Sequence, residues 1–117
     1  MDRAIVVSQQ GGPEVLEWTQ KDPGEPGPGE VLVRHTAVGL NFIDVYHRTG
    51  LYPLDPPFTP GVEGAGGVEA IGEGVSELST GDRVAYTGNG PVGSYCEGRV
   101  LPSSRLYKLP DEVSNDT

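Results

Sequence analysis

Cysteine is almost absent from this chain, since Cys96 is the only one in 117 residues. A single thiol can form no intramolecular disulfide, which suits a protein of a reducing compartment. No histidine or basic residue stands directly beside Cys96 in the sequence, although folding could still bring one close. We therefore predict a small packed thiol rather than a nucleophile.

Basic residues and long apolar runs are also scarce. The chain has 8 Lys and Arg against 17 Asp and Glu, a formal net charge of −9, and this balance argues against nucleic acid and against an anionic membrane surface as partners. The sequence contains no basic-plus-apolar leader and no stretch of about 18 apolar residues. It predicts a soluble, cytoplasmic protein with no nucleic-acid or membrane partner.

Glycine and proline, by contrast, are plentiful. The 18 Gly and 11 Pro residues separate short runs rich in Val, Ile and Leu, so we interpret them as turns rather than as signs of disorder. The length fits one domain, residues 1–117. About six to eight short strands, with a turn about every ten residues and one or two short helices, predict a mainly β fold, a small and partly open β-barrel.

The strands are predicted from alternation and from the turns between them. Residues 4–7 and 14–19 flank a Gly-Gly-Pro turn and predict a hairpin. Residues 31–40 are the longest candidate, and the glycines of residues 62–75 mark a bend or a close approach of two backbones. The tail from about residue 110 lacks periodicity and is expected to fray. Further short strands are predicted at residues 83–86, 94–101 and 106–109.

A short helix is predicted directly after the longest strand. Asn41 and Asp44 have the spacing of a capping box, in which each side chain accepts from the other residue's backbone N–H. Gly50 supplies a left-handed stop, so we expect the helix to end at Arg48. Four prolines keep residues 51–60 in an extended loop.

One glycine motif is set aside. Residues 88–93 read Gly-Asn-Gly-Pro-Val-Gly and match a dinucleotide-binding loop letter for letter. Such a loop must open a helix whose N-terminus faces the pyrophosphate, but residues 94–97 are strand-like. Pro91 also lacks the N–H that a phosphate cradle needs. We interpret the motif as a tight loop between strands.

Five segments carry a resemblance to a known family. Residues 39–53, GLNFIDVYHRTGLYP, are similar to the signature of the zeta-crystallin-like quinone oxidoreductases, a zinc-free branch of the medium-chain dehydrogenase/reductase superfamily. The resemblance implies a GroES-like N-terminal catalytic domain, which in the family is followed by a Rossmann domain and a returning segment. This chain holds no strand–glycine loop–helix unit, so we expect a fragment that lacks the Rossmann domain. The other four segments agree in order and spacing, and they are residues 11–16, 60–66, 72–75 and 81–84.

The resemblance also implies an activity. The whole protein is expected to transfer reducing equivalents from NADPH to a quinone or another electron-poor acceptor, and to be a homodimer. The fragment is expected to fold but neither to bind NADPH well nor to turn over. Without the returning segment, exposed apolar surface or a strand edge invites self-association. Two alternatives stay open: a zinc-free reductase of enones, alkenals or enoyl thioesters, and a non-enzymatic GroES-like binding module.

The resemblance argues against zinc. The family's zinc-dependent members carry Cys and His ligands at the positions of Asn41 and Val62. An amide and an isopropyl group cannot replace thiolate and imidazole around a tetrahedral Zn²⁺, and a single cysteine cannot build those members' four-cysteine lobe. His35 and His47 show no ligand spacing of their own. We predict that the protein binds no metal.

The same signature implies the site residues. Tyr46 and Tyr52 resemble aromatic residues that border the quinone pocket, so we take them as the catalytic candidates. A tyrosine there could stack on a planar acceptor and donate to a developing oxyanion. The residues implied to line the nicotinamide end of NADPH are Asn41, Phe42, Ile43, Asp44, Val45 and Tyr46.

The residues by themselves leave other roles open. Asn41 and Asp44 could serve as a helix cap, and the two tyrosines could be ordinary packing groups. Arg48 could hold a phosphate or complement the end of a helix. Glu63 is interpreted as a structural acid near the cleft.

Overall fold

The computed structural model describes residues 2–51, 54–87 and 91–110. Within these ranges the chain is mainly β, as predicted, and no helix in them is long and apolar enough to cross a membrane. Short 3-10 turns lie at Pro13–Val15 and Ser103–Arg105. The regular elements are β1 (Arg3–Val7), β2 (Leu16–Gln20), β3 (Glu30–Val38), α1 (Phe42–Thr49), β4 (Gly64–Ile71), β5 (Arg83–Tyr86), β6 (Gly98–Pro102) and β7 (Tyr107–Lys108).

The predicted N-terminal hairpin is present. Strands β1 and β2 pair antiparallel, with Ile5 opposite Trp18. The second strand begins at Leu16 rather than at residue 14, because Pro13 opens a 3-10 turn in which the N–H of Val15 donates to Gly12. A proline suits this first turn position, since its fixed φ favours the turn and its missing N–H is not needed there.

The other five strands form one antiparallel sheet in the order β6-β3-β4-β5-β7. Its outer strands, β6 and β7, do not pair with each other in the described chain, so the sheet stays open on that side. Two isolated bridges, Ala4 with Cys96 and Val7 with Phe58, join the hairpin to the segments that precede β6 and β4. This arrangement agrees with the partly open barrel predicted from the turns.

The core lies on one face of the sheet. Val31 and Val33 are fully buried, and they alternate along β3 with the half-buried Leu32. A valine side chain taken wholly out of water contributes about 1.5–3 kcal/mol, so the period of two read from the sequence determines which face packs inward. The buried cluster comprises Val31, Val33, Val68, Leu78, Val84, Tyr86 and Leu101.

Strand β4 comes unusually close to β3. The register between them shifts between His35 and Ala37, and a Cβ added at Gly66 would lie 2.8 Å from the carbonyl carbon of Arg34 and 2.9 Å from Cα of His35. The close approach predicted from the glycine-rich segment is therefore real, and it is located at Gly66.

Strand β6 starts later than predicted. It begins at Gly98 and not at residue 94, because the preceding backbone bonds to other parts of the chain. The N–H of Tyr95 donates to Pro60 at 2.9 Å, and its carbonyl accepts from Ile5 at 2.8 Å. Alternation of side chains could not reveal this, since it does not report where backbone groups find partners.

Candidate functional site

Helix α1 follows β3 after three residues, and it is capped as the sequence predicts. Both halves of the capping box between Asn41 and Asp44 are present, and the Asp44 carboxylate accepts from the backbone N–H of Asn41 at 3.0 Å. Gly50 adopts the left-handed conformation at φ 89°, and its N–H donates to Tyr46. The helix runs one residue past Arg48, to Thr49.

Asp44 faces the interior. Only 5% of its surface is exposed, and its Oδ2 atom accepts a second hydrogen bond, of 2.6 Å, from the hydroxyl of Tyr95. Burial, together with the bond to this carboxylate, raises the pKa of Tyr95 above its ordinary value of 10.0, so that hydroxyl keeps its proton and acts as a donor. The geometry gives Asp44 the helix-cap role that the residues alone suggested.

One face of the helix points outward and is apolar. Phe42, Val45 and Tyr46 are spaced so that they share a face, and Leu40 stands just before them. Leu40 and Phe42 are 81% and 82% exposed, and Val45 and Tyr46 are exposed to a smaller extent. We call these four residues the α1 lip.

The remaining predicted site residues are less exposed or undescribed. Asn41 and Ile43 are half-buried, and the Asn41 amide nitrogen is buried without a hydrogen-bond partner in the described chain. Tyr52, the second catalytic candidate, lies outside the described residues. The structure thus brings five of the six cofactor candidates into one exposed or partly exposed helical segment, and it turns Asp44 inward.

The C-terminal end of α1 is held by the turn after β1. Arg48 donates from Nε to the carbonyl of Gly11 at 3.2 Å, and the Gly11 N–H donates back to the Arg48 carbonyl at 2.9 Å. The structure shows Arg48 anchoring the end of the helix to this turn, a third role beside the two that the residues left open.

Glu63 stands just before β4 and contacts Gly39, which follows the end of β3. Its carboxylate accepts from the hydroxyl of Thr87 at 3.1 Å and packs so closely on Gly39 that a Cβ there would collide with it. These contacts agree with the predicted structural role.

A mostly apolar groove of about 360 Å³ lies beside Leu40, between the hairpin and the end of β3. Its walls include Trp18, Val38 and Tyr95. It is a concave surface of the size that small-molecule sites have in proteins, and the α1 lip borders it through Leu40.

A chain of polar contacts begins at His35 in the wall of this groove and ends at the buried Tyr86 and Ser94. His35 contacts the carbonyl of Cys96 through Nδ1 at 2.9 Å and the hydroxyl of Tyr86 through Nε2 at 2.8 Å. Tyr86 in turn contacts the Ser94 hydroxyl at 2.6 Å. Burial lowers the pKa of His35 below 6.5, so the ring is neutral, with its Nδ1 hydrogen directed to the carbonyl.

Folding does bring a histidine near Cys96, whose sulfur lies 3.7 Å from His35 Nδ1, but that nitrogen carries the hydrogen directed to the Cys96 carbonyl. The thiol is nevertheless not activated, because burial raises its pKa to about 11. Its single S–H has two acceptors within reach, the carbonyls of Gly93 and Gly98 at 3.1 and 3.2 Å. A thiol that stays protonated is a poor nucleophile, in agreement with the predicted packing role.

Neither a metal cluster nor a dinucleotide loop is apparent in the described ranges. There, no group of three His, Cys, Asp or Glu side chains could hold a metal ion. Residues 88–90 of the glycine motif lie outside the described residues. In the described part, no helix follows directly after Gly93. The Pro91 carbonyl accepts hydrogen bonds from Arg99 and Arg105 at 2.5 and 3.2 Å. This geometry agrees with a loop between strands.

Tyr95 is the functional candidate that the sequence did not reveal. It lies 51 residues from Asp44 along the chain, in a segment whose sequence predicts a plain strand. Local spacing carries no signal for such a pair.

Comparisons with known proteins agree with the resemblance in the sequence. The chain is 52% identical over 114 residues to a quinone oxidoreductase of Pseudomonas aeruginosa, a match that covers 97% of this chain and 35% of that protein. It is 41% identical to a 2-haloacrylate reductase of a Burkholderia species, covering 99% of this chain and 36% of that one. The crystal structure of Escherichia coli quinone oxidoreductase complexed with NADPH matches with a TM-score of 0.92 and 37% identity, over 99% of this chain and 35% of that chain.

The chain thus spans about a third of the length of the relatives it matches. The other two thirds of those proteins have no counterpart in these 117 residues. The alcohol dehydrogenase GroES-like domain family matches residues 27–111. The chain therefore belongs to that domain family, as the quinone oxidoreductase-like signature predicts.

Proposed function

We propose that this chain is the N-terminal catalytic domain of a zinc-free, NADPH-dependent quinone oxidoreductase. The observation that carries the proposal is the α1 lip, an exposed apolar and aromatic face on a helix anchored at both ends. Apolar side chains rarely stay exposed together without a partner surface. The family relationship indicates that the partners of this surface are a nicotinamide ring and a planar acceptor.

The residues present fit the cofactor. The buried amide nitrogen of Asn41 has no partner among the described residues, and a buried donor of this kind normally has one. A carboxamide oxygen or a ribose hydroxyl would satisfy it. Bound NADPH would supply the hydride. The chain would contribute positioning and exclusion of water, since Asn41 would orient the ring and the lip would cover it.

Tyr46 is the described candidate for contact with the acceptor. The residue is 36% exposed on the lip face, where its ring could stack on a quinone and its hydroxyl could donate to the oxygen that becomes negatively charged. Tyr52 is proposed for the same border of the pocket. Asp44 would act on the cofactor only through the helix that it caps.

Two further parts of the proposal concern metal and assembly. Asn41 and Val62 stand where zinc-dependent relatives have ligands, which supports a reaction without zinc. Leu40 and Phe42 offer the apolar surface through which this chain alone would self-associate, and the complete protein is proposed to be a homodimer. The single cysteine supports a cytoplasmic location.

The test compares this chain with the complete gene product that contains it. We expect the chain alone to show no micromolar NADPH binding in a titration, and the complete product to oxidise NADPH with a quinone at an unchanged rate after chelator treatment. In the complete product, Tyr46→Phe should lower kcat at least about tenfold. The matched control Tyr107→Phe, on a tyrosine that is 70% exposed in β7, should not.

A complete product that oxidises no NADPH with any quinone contradicts the proposal. If Tyr46→Phe and Tyr107→Phe change kcat equally, Tyr46 has no part in the proposed reaction. Tight NADPH binding by the chain alone overturns the expectation that most NADPH contacts come from the rest of the complete product.

A second candidate is a zinc-free reductase of activated alkenes. It is favoured by the 41% identity to the Burkholderia 2-haloacrylate reductase, because an enone or a haloacrylate is also an electron-poor hydride acceptor. A panel of quinones, enones and haloacrylates separates the two candidates by their kcat/KM values.

A further inference from the structure

We propose that Tyr95 is a positioning residue for the reaction proposed above: through Asp44 it fixes the helix that carries the α1 lip. The inference rests on the proposed function and adds a residue to it that lies outside the signature at residues 39–53. Its basis is a set of contacts that joins three separate segments of the chain to the first turn of α1.

The first contact is at the carboxylate. One oxygen of Asp44, Oδ2, accepts both the Tyr95 hydroxyl at 2.6 Å and the backbone N–H of Asn41 at 3.0 Å. The other oxygen, Oδ1, is buried with no partner in the described chain. A carboxylate that is almost fully buried needs its few donors, so the Tyr95 hydroxyl is a principal constraint on where Asp44 and the helix start can lie.

The second set of contacts fixes Tyr95 itself. Its N–H donates to Pro60 at 2.9 Å and its carbonyl accepts from Ile5 at 2.8 Å. Its ring packs against Gly61, where an added Cβ would lie 2.7 Å from the ring and 2.8 Å from Cβ of Ser94. The backbone is thus held on both sides and the ring rests on Gly61, which limits where the hydroxyl can lie.

These two sets of contacts together define the route of the constraint. Contacts with β1 and with the turn at Pro60 fix the position of Tyr95. One carboxylate oxygen of Asp44 then bonds both the Tyr95 hydroxyl and the Asn41 N–H, so the position of Asn41 depends on that of Tyr95. Asn41 is also the residue whose buried amide is proposed to meet the cofactor. A shift at the helix start would therefore move the orienting amide and the lip relative to the ring.

Loss of the Tyr95 hydroxyl would tilt the helix rather than unfold it. The far end would stay bonded to Gly11 through Arg48, so α1 would keep one anchor. Misplacement of reacting groups by about 1 Å can cost about a hundredfold in rate. In the complete gene product we expect Tyr95→Phe to lower kcat at least about tenfold, with the KM for NADPH within about twofold of the wild-type value.

The experiment measures kcat per folded molecule, with the folded fraction determined by circular dichroism. Tyr107→Phe is the control, since it removes the same hydroxyl from a surface strand. Asp44→Asn and the Tyr95→Phe/Asp44→Asn double variant complete a cycle. If Tyr95 acts through Asp44, the double variant should be no slower than the slower single variant. In the 117-residue chain, hydrogen exchange at the Asn41–Asp44 amides should accelerate in Tyr95→Phe and not in Tyr107→Phe.

The possible outcomes distinguish the role of Tyr95 from the proposed function itself. A lower kcat at nearly unchanged KM, together with a coupled cycle, supports the inference. An active wild type in which Tyr95→Phe keeps full kcat per folded molecule overturns the inference alone. Additive effects show that Tyr95 does not act through Asp44 and overturn it as well. A wild type that reduces no acceptor overturns the proposed function and the inference with it, whereas the exchange result still reports on the contact itself.

Discussion

Gly66 and Gly67 are neighbours in β4, but we expect them to respond to alanine in opposite directions. A methyl group at Gly66 would collide with the carbonyl oxygen of Arg34 and come within 2.9 Å of Cα of His35. Both obstacles are backbone, so no side chain can swing away. At Gly67 an added Cβ meets nothing within 4 Å, and the backbone is not left-handed.

The magnitudes follow from these surroundings. Overpacking of a core costs about 1–3 kcal/mol, and relief at Gly66 requires β3 and β4 to separate, which weakens ladder hydrogen bonds worth about 1 kcal/mol each. We expect Gly66→Ala to lose about 3 kcal/mol of unfolding free energy or more. Gly67→Ala should gain about 0.5–1 kcal/mol, because alanine restricts the unfolded chain. For a domain of this size, the loss lowers Tm by about 10 °C.

The assay is urea unfolding of both variants followed by circular dichroism, with calorimetry for Tm. The two sites lie in the same strand of the same sheet, so each serves as the control for the other. A Gly66→Ala protein as stable as the wild type would show that β3 and β4 are not as close as described. A Gly67→Ala protein as damaged as Gly66→Ala would show that the strand rejects any side chain here.

Three more predictions concern other parts of the molecule. At about pH 8, Cys96 in the folded chain should react with iodoacetamide about a hundredfold more slowly than in urea, because a pKa raised from 9.0 to about 11 lowers the thiolate fraction by that factor; equal rates by mass spectrometry would refute this. Because the pKa of His35 is lowered in the folded chain, the unfolded chain binds more protons below pH 6.5 than the folded chain does. The free energy of unfolding should therefore fall as the pH drops below 6.5, and it should fall less steeply in His35→Gln. Identical pH profiles of the urea midpoint in the two proteins would contradict this. Phe42→Ser should reduce self-association in analytical ultracentrifugation, and Tyr107→Ser should not; the same mass distribution in both would exclude the α1 lip as the contact surface.

The parts of the site that the sequence predicted correctly are local. The capping box joins Asn41 to a residue three positions away, and Gly50 marks the stop within the same helix. Both signals act within about one or two turns, where residue type and spacing determine the hydrogen bonds. The hairpin followed from its Gly-Gly-Pro turn for the same reason.

Other features depend on contacts between distant segments. Residues 94–97 look like a strand, yet their backbone groups bond to Ile5 and to the turn at Pro60. The bond between Tyr95 and Asp44 forms because β1 and the turn at Pro60 together hold this segment beside α1. Single-sequence patterns report which face a residue occupies, but they do not report which remote residue it meets. The role of Tyr52 stays a prediction.

Both anchors of α1 lead back to the first eleven residues. Ile5 bonds the segment that holds the helix start, and Gly11 bonds the helix end, while none of the predicted catalytic or cofactor residues lies in that hairpin. A bulky tag fused there would disturb these two bonds first, while the five-stranded sheet keeps its own ladder. Such a protein would pass a folding check and still fail an activity assay. A loss of turnover after such a fusion should therefore be attributed first to a displaced helix α1 and not to a change in the reacting groups.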